Sequence, residues 1–230
     1  KNFLFSKNLD YLFEYFNSDK GKSFINQYAQ PIKKKLSDKI KGHDYAKFYE
    51  DYFKRFKEKK ISIMEIGSFY GNAAAALFFY LRNAEIYSAD IFPDLFKYKS
   101  DRIKNFFVDS SSEKSIQKSI LSLNCQFEII IEDASHSFKD QIISLFMLFP
   151  IIKSGGIFIT EELDFPDTRL DMNINKEKPT LRDILHKINS GENFESRLVS
   201  DEQKKYLIEN IDSISIFKGN SNEIAIIKKK

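Results

Sequence analysis

Two short acidic stretches carry the side chains that are best suited to chemistry. Residues 132–136 read Glu-Asp-Ala-Ser-His directly after the apolar run 127–131, and Glu161 and Glu162 follow a second apolar run at 155–160. Clustered carboxylates repel one another, and a hard divalent cation such as Mg²⁺, which prefers oxygen ligands, relieves that repulsion. A histidine with a pKa of about 6.5 is suited to take a proton from a hydroxyl group. The alternative is that the acids are solvated caps of the helices that follow, and spacing alone leaves both interpretations open.

Strand-like and helix-like runs alternate from residue 61 onward. Strand-like apolar runs occupy 61–67, 85–91, 102–109, 127–132 and 155–163, and helix-forming runs occupy 71–81, 111–124 and about 138–149. This alternation predicts βαβ units and a parallel sheet. Two further alternating strands surround a Gly-Asn turn at 213–229, which predicts a C-terminal antiparallel hairpin.

The residues that precede this pattern, 1 to about 58, are predicted to be helical. Aromatic residues recur there at spacings of three and four, the stripe of an amphipathic helix that packs on a core: Tyr45, Phe48, Tyr49, Tyr52, Phe53 and Phe56. We place a domain boundary near 60, so that 1–60 form an N-terminal helical cap region and 61–230 form the main domain. The segment 163–195 is polar and irregular, apart from one helix-like stretch, and we expect it to cover the acceptor.

Composition and charge narrow the classes of function. The 230 residues are 42% hydrophobic, enough for a sizeable core, and their formal net charge of +3 demands no polyanionic partner. Lysine runs at 33–35 and at the C-terminus are interpreted as solvated surface. Because Cys125 is the single cysteine, a disulfide framework and a cysteine-based zinc site are excluded. The sequence has neither a membrane-spanning apolar stretch nor a signal-peptide pattern, so the cytosol is the expected location.

Glycines and acids stand at the predicted carboxyl ends of the strands, where ligands bind in open α/β sheets. In the turn 65–71, Glu-Ile-Gly-Ser-Phe-Tyr-Gly, Phe69 stands where a dinucleotide-binding turn would carry its second glycine. Glu65 suits a cationic ligand better than a phosphate. Asp90 is placed to hold two ribose hydroxyls, and Asp109 could accept a hydrogen bond from an adenine amino group. Taken alone, the Gly-x-x-x-Gly spacing is a weak signal and favours a plain tight turn.

The sequence resembles the class I S-adenosylmethionine-dependent methyltransferases. The resemblance depends on a combination of features: the glycine turn, the acids after the second and third strands, and the terminal hairpin. This resemblance implies an α/β fold with a Rossmann-like, seven-stranded, mostly parallel sheet that ends in an antiparallel hairpin, here with an N-terminal helical extension. It also implies S-adenosylmethionine as the cofactor.

A narrower resemblance is to the macrocin O-methyltransferase family of sugar O-methyltransferases. Four motifs carry it: Glu-Asp-Ala-Ser-His, Leu-Phe-Pro…Lys-Ser-Gly-Gly at 148–156, the acidic pair, and Ser-Asp-Lys-Gly at 18–21 followed by His43, Tyr45 and Tyr49. The similarity covers about 18–162 plus the closing hairpin. Because His43 is interpreted as part of this N-terminal signature, we expect it to hold the N-terminal region over the cofactor.

Residue roles are implied by this resemblance, position by position. The metal ligands fall on Asp133, Glu161 and Glu162, and the catalytic base falls on His136. The cofactor site comprises Lys20, Tyr49, Glu65, Gly67, Ser68, Tyr70, Gly71, Asp90, Ile91, Asp109, Ser110 and Glu132. Two departures matter. Glu162 stands where the family often has Asp, which changes its reach to a metal, and the insertion before His43 and the divergent segment 163–195 leave the acceptor open.

The leading hypothesis is a Mg²⁺-dependent O-methyltransferase that acts on a sugar hydroxyl of a nucleotide-linked sugar, a surface glycan or a natural-product glycoside. The expected partner is a small-molecule sugar, without nucleic acid or a membrane span, and homo-oligomerisation is left open. A second hypothesis keeps the cofactor and makes RNA or protein the acceptor. The third is a non-catalytic binding module that retains the fold. Near-neutral charge and the lack of an Asn/Asp-Pro-Pro-Tyr segment disfavour a base methylase.

Overall fold

The computed structural model of the chain describes residues 3–26 and 39–230, so the lysine run at 33–35 lies outside the described residues. The strands are β1 (Ser23–Ile25), β2 (Lys39–Lys41), β3 (Ser62–Ile66), β4 (Glu85–Asp90), β5 (Ile103–Phe107), β6 (Phe127–Glu132), β7 (Ile152–Thr160), β8 (Ile211–Lys218) and β9 (Glu223–Lys229). The α-helices are α1 (Leu9–Tyr15), α2 (Ala46–Phe53), α3 (Asn72–Tyr80), α4 (Glu113–Ser119), α5 (Phe138–Leu148), α6 (Phe165–Thr168), α7 (Leu181–Asn189) and α8 (Asp201–Asn210).

Seven strands form the central sheet in the order β5-β4-β3-β6-β7-β9-β8. Strands β3 to β7 pair in parallel, and β9 pairs antiparallel with both β7 and β8. The predicted mostly parallel sheet with a C-terminal antiparallel hairpin is therefore confirmed. The chain runs outward from β3 through β4 to β5 and then returns to the other side of β3 at β6. This reversal is the topological switch point at which open α/β sheets bind ligands.

Both faces of the sheet are covered, which is why its central strands are almost continuously apolar. Along β6, Ile129 and Ile131 pack into the core beneath α1, α2 and α3, whereas Ile130 packs into the opposite core with α5 and α7. All three side chains are fully buried. The alternation of side chains along a strand thus builds three layers, and it leaves the carboxyl ends of the strands as the place for polar residues.

The N-terminal region differs from its predicted all-helical form. Helices α1 and α2 are present, but Ser23–Ile25 and Lys39–Lys41 pair as a small antiparallel sheet between them. These strands are only three residues long, which is too short for an alternation of polar and apolar residues to be recognised in the sequence. The aromatic stripe is confirmed as a packing face, since Tyr45, Tyr49 and Phe53 are fully buried.

The segment after β7 is more ordered than the sequence indicates. It contains α6 and α7, and the latter begins at a capping box in which Thr180 and Asp183 bond each other's backbone. Helix α8 was not predicted, although Ser200 and Gln203 form the same kind of box at its start. No helix among residues 3–26 and 39–230 has both the length and the apolar character needed to cross a membrane.

Candidate active site

A cavity of about 760 Å³ opens at the carboxyl ends of β3, β4, β6 and β7. Backbone hydrogen bonds continue between the turns that leave these strands. Asp133 N donates to Ile66 O at 2.9 Å, and Glu161 N donates to Glu132 O at 3.0 Å. The three polar turns predicted from the sequence therefore meet at one edge of the sheet.

The turn after β3 depends on Gly67. Its φ of +90° lies in the region that favours glycine, and a Cβ there would overlap the carbonyl group of Asp133. The same turn holds Phe69 at a φ of +44°. Gly67 therefore permits the close approach of the glycine turn and the turn that carries Asp133.

Replacing Gly67 by alanine is expected to destabilise the protein by about 2–4 kcal/mol, because the new methyl group meets backbone as well as an unfavourable φ. Gly191→Ala is the matched control, since Gly191 has a φ of +69° and nothing within 4 Å of its Cβ position. The measurement is the free energy of unfolding in urea. If both variants lost the same free energy of unfolding, the close approach of Gly67 to Asp133 would contribute nothing to stability.

Two acids of the predicted cofactor site line the cavity beside the glycine turn. Asp90 accepts hydrogen bonds from the backbone N–H groups of Phe69 at 2.7 Å and Phe92 at 2.8 Å. Asp109 accepts from the backbone and hydroxyl of Ser111 at 3.0 and 2.6 Å. These bonds fix the carboxylates at the ends of β4 and β5, and the ribose and adenine contacts stay predictions. Three other predicted residues line the same cavity: Gly67, Ile91 and Ser110.

The other predicted cofactor residues lie around this cavity. A second cavity of about 30 Å³ adjoins it and is lined by Lys20, Glu65, Ser68 and Tyr70. It is about the size that one water molecule needs. Gly71 is the N-cap residue of α3. It has a φ of +79° and lies against the ring of Phe96. Glu132 and Tyr49 line neither of the two cavities; both are buried.

Asp133, His136 and Glu162 form the acid–histidine group at the floor of the cavity. One ligand atom from each lies within 4.8 Å of the others. His136 Nε2 is 3.8 Å from Asp133 Oδ1, and His136 Nδ1 is 3.6 Å from Glu162 Oε2. His136 Nδ1 and Glu162 Oε2 are buried and make no hydrogen bond to any described residue. Two carboxylates, one of them with a buried oxygen that has no hydrogen-bond partner among the described residues, suit a divalent cation, so the residues present fit the predicted metal.

The backbone at two of these residues is in a sparsely populated conformation. His136 has a φ of +56° and Glu162 a φ of +45°, both in the left-handed region. Such conformations cost about 1–3 kcal/mol each and persist where the surrounding structure fixes them. Here they turn both side chains toward the same point. The ring of Phe165, 5.4 Å from that of His136 and edge-on to it, closes one side of the imidazole.

Lys20 lies behind this group as a buried cation. Its ammonium is paired with Asp133, lies 2.8 Å from Glu161 Oε1 and is 3.6 Å from Glu65 Oε1. Glu161 Oε1 also accepts a hydrogen bond from the Tyr49 hydroxyl. The structure thus joins Glu161 to Lys20 and Tyr49, while Asp133 and Glu162 face His136. The role of Glu161 as a third metal ligand stays a prediction.

Burial and charge set the protonation of the group. Burial lowers the pKa of His136, which leaves its imidazole neutral at neutral pH. Burial alone would raise the pKa of Glu162, but the hydrogen bond from His43 and the positive charges of His43 and Lys20 oppose it and hold that pKa well below its usual value. Burial and the charge of Glu161 raise the pKa of Asp133. The crowded carboxylates therefore favour an added positive charge.

Several cavity residues were not predicted individually. Phe24, Ile40 and Lys41 come from the β1 and β2 strands, and Phe165 and Arg169 come from α6 and the residue after it. The sequence indicated only that 163–195 should cover an acceptor. His43 contacts Glu162, with Nε2 2.9 Å from Oε1. Its expected role in holding the N-terminal helices over the cofactor stays a prediction.

In sequence comparison, the chain is similar to two proteins that are named as O-methyltransferases. No protein-family model matches it. The chain is similar to 8-demethyl-8-alpha-L-rhamnosyl tetracenomycin-C 2'-O-methyltransferase of Streptomyces olivaceus, with 28% identity over 134 residues, 55% of this chain and 35% of that protein. A 3'-O-methyltransferase of the same organism, named for a 2-methoxy-rhamnosyl tetracenomycin-C, is 24% identical over 53% of this chain and 32% of its own length. The resemblance inferred from the sequence is confirmed, and the matches span about a third of these relatives.

Solved structures confirm the fold. MycE methyltransferase from the mycinamycin biosynthetic pathway, in complex with Mg and SAH, superposes with a TM-score of 0.72 at 18% identity, over 97% of this chain and 54% of that one. The O-methyltransferase from Bacillus cereus in complex with SAH gives a TM-score of 0.53 at 12% identity, over 80% of each chain. The Rossmann-like methyltransferase fold is therefore established.

Proposed function

We propose that the chain is an S-adenosylmethionine- and divalent-cation-dependent O-methyltransferase that acts on a sugar hydroxyl. One observation carries the proposal. A single cavity holds Asp90 and Asp109, placed for a nucleoside, and the group Asp133, His136 and Glu162, suited to a cation and a proton. The Streptomyces relatives, whose names specify O-methylation of rhamnosyl groups, support the choice of acceptor.

The donor half of the site is built to hold a nucleoside with a cationic group. S-adenosylmethionine supplies a methyl group activated on a sulfonium. Asp90 would accept hydrogen bonds from the ribose hydroxyls, and Asp109 from the adenine amino group. Glu65, whose Oε2 is buried without a hydrogen-bond partner among the described residues, places a carboxyl oxygen beside the glycine turn. These residues orient the donor toward the floor of the cavity.

The acceptor half is built around the acid–histidine group. Asp133 and Glu162 would hold a divalent cation, with Glu161 as the predicted third ligand. The charge of the cation would lower the pKa of neighbouring hydroxyl groups and orient them. His136 would take the hydroxyl proton on its imidazole ring, since burial keeps the ring neutral and Nδ1 has no hydrogen bond to a described residue. The edge-on ring of Phe165 helps to exclude water from this point.

The side chains on the outer wall of the cavity favour a glycoside or an activated sugar as the acceptor. Phe24, Ile40 and Phe165 offer apolar and aromatic surface, and Lys41 and Arg169 offer positive charge. Arg169 is itself bonded to Asp171 at 2.7 Å. Apolar rings match a sugar face or an aglycone. The cytosolic location and homo-oligomerisation stay predictions.

Calorimetric titration with S-adenosylmethionine, in wild type and in Asp90→Ala, tests the proposal. We expect micromolar binding by the wild type and at least about tenfold weaker binding by the variant, because two ribose hydrogen bonds are worth about 1–3 kcal/mol. Absence of binding by the wild type would favour the non-catalytic module. Salt-sensitive RNA binding, measured in parallel, would favour an RNA acceptor.

A further inference from the structure

Two N-terminal residues hold the back of the acid–histidine group. We propose that Lys20 and His43 are positioning residues of the cation site: each binds one oxygen of a carboxylate and leaves the other oxygen facing His136. This inference rests on the proposed function, because it assumes that Asp133 and Glu162 hold the divalent cation. Neither residue would touch the ion or the acceptor.

Asp133 is divided between two neighbours. Its Oδ2 is paired with the Lys20 ammonium, and its Oδ1 is 3.8 Å from His136 Nε2. The Lys20 side chain is only 2% exposed, so it has no route to solvent. Its pairing with Glu161 at 2.8 Å fixes the ammonium from a second side. The carboxylate plane of Asp133 is therefore set by Lys20, and Oδ1 is the oxygen presented to the cavity.

Glu162 shows the same division. His43 Nε2 lies 2.9 Å from Oε1, while Oε2 lies 3.6 Å from His136 Nδ1 and has no hydrogen-bond partner among the described residues. The His43 ring is fixed in turn. It stacks on Tyr45 with ring centroids 5.2 Å apart, and its Nδ1 is 3.2 Å from the side-chain amide of Asn222.

One backbone unit carries both positioning residues. We call residues 19–22 and 42–45 the hairpin base, because they lie at the foot of the β1–β2 hairpin. Four hydrogen bonds join its two sides: His43 N to Asp19 O at 2.7 Å, Gly42 N to Lys22 O at 2.8 Å, Tyr45 N to Lys20 O at 2.9 Å and Asp44 N to Gly21 O at 3.0 Å. A Cβ at Gly42 would overlap the Gly21 carbonyl, so the two sides approach as closely as glycine allows. Lys20 and His43 are thereby held side by side.

The hairpin base links two parts of the cavity. The strands that extend from it place Phe24, Ile40 and Lys41 on the cavity wall, while Lys20 and His43 reach the carboxylates on the floor. Groups behind a metal ligand fix its orientation, and their loss weakens metal affinity by about 10- to 100-fold. The same magnitude is expected here.

Binding of Mn²⁺, followed by the electron paramagnetic resonance signal of the unbound ion, tests the inference on the full chain. We expect Lys20→Met and His43→Leu each to weaken Mn²⁺ binding by about 10- to 100-fold. His43→Gln should recover part of the loss, because its amide can still donate to Glu162. Lys22→Met is the matched control. Lys22 belongs to the hairpin base, but its side chain is 65% exposed and pairs with Asp10. The Mn²⁺ affinity of this variant should therefore equal that of the wild type. Unchanged S-adenosylhomocysteine affinity in His43→Leu shows that this variant is folded.

The possible results are distinguishable. If the wild type binds Mn²⁺ and Lys20→Met and His43→Leu bind it equally well, the positioning role is wrong and the proposed function stands. If His43→Gln is as weak as His43→Leu, the hydrogen bond to Glu162 is not what positions the ligand. If the wild type does not bind Mn²⁺, the cation site of the proposed function fails and this inference fails with it. Should Lys20→Met not fold, the His43 variants decide the result.

Discussion

Replacing His136 by alanine is expected to slow methyl transfer by about 10²- to 10⁴-fold, the contribution typical of a positioned general base. The imidazole lies in the cavity with Asp133 and Glu162, and burial keeps it neutral and able to accept a proton. Affinity for S-adenosylmethionine should change little, because the proposed donor contacts are made by Asp90 and Asp109, whereas His136 is assigned to the acceptor. Single-turnover kinetics with saturating donor measure the loss, and His186→Ala on the surface helix α7 is the control.

The pH profile gives a second readout of His136. Its pKa is lowered, so the neutral base persists through neutral pH and protonates only at a pH below the usual value of about 6.5. Activity of the wild type should therefore be flat through neutral pH and fall on the acid side. The residual activity of His136→Ala should lack that acid limb. A variant with wild-type rate and an unchanged acid limb would contradict the role of His136 as the base.

Removing divalent cations is expected to reduce turnover at least about 100-fold, since a bound cation contributes several kcal/mol to such reactions. Without the cation, the Glu162 carboxylate, whose pKa is held low, places negative charge near the acceptor hydroxyl, which opposes the deprotonation of that hydroxyl. Chelation with EDTA followed by addition of Mg²⁺ should abolish and then restore the activity. Turnover that survives complete chelation would contradict a cation-dependent mechanism.

Variants of the three carboxylates separate their roles in this effect. Asp133→Asn and Glu162→Gln should each weaken cation binding. Each residue presents one carboxylate oxygen to the side of the cavity where His136 lies, which is where the cation is proposed to bind. Glu161→Gln tests the predicted third ligand. A loss as large as that of Glu162→Gln would support ligation, whereas unchanged affinity would limit Glu161 to its contacts with Lys20 and Tyr49. Mn²⁺ titration of all three variants provides the comparison.

Local patterns were enough to predict the sheet and the edge at which the site lies. Apolar runs of strand length, separated by helix formers, fix a parallel sheet, and the carboxyl ends of its strands must then meet. Asp90, Asp109, Asp133, His136 and Glu162 were found in this way, and all of them line the cavity. Their polarity directly after buried strands is a signal that needs no knowledge of tertiary contacts.

Contacts between distant parts of the chain were beyond prediction. Lys20 and Asp133 are 113 residues apart, and the sequence places Lys20 only by a motif. His43 reaches Glu162 because the chain folds back through two strands of three residues each, and strands this short cannot be recognised from an alternation in the sequence. Helix α8, in contrast, had a readable signal in the Ser200–Gln203 capping box.

The most direct test is mass spectrometry of a panel of nucleotide sugars and rhamnosyl glycosides after incubation with the protein, S-adenosylmethionine bearing a labelled methyl group, and Mg²⁺. We predict that at least one sugar gains one labelled methyl group on an oxygen, and that EDTA or His136→Ala prevents the gain. Labelled methyl on RNA or protein alone, or methylation of a sugar that is unchanged by both EDTA and His136→Ala, would contradict the proposed function.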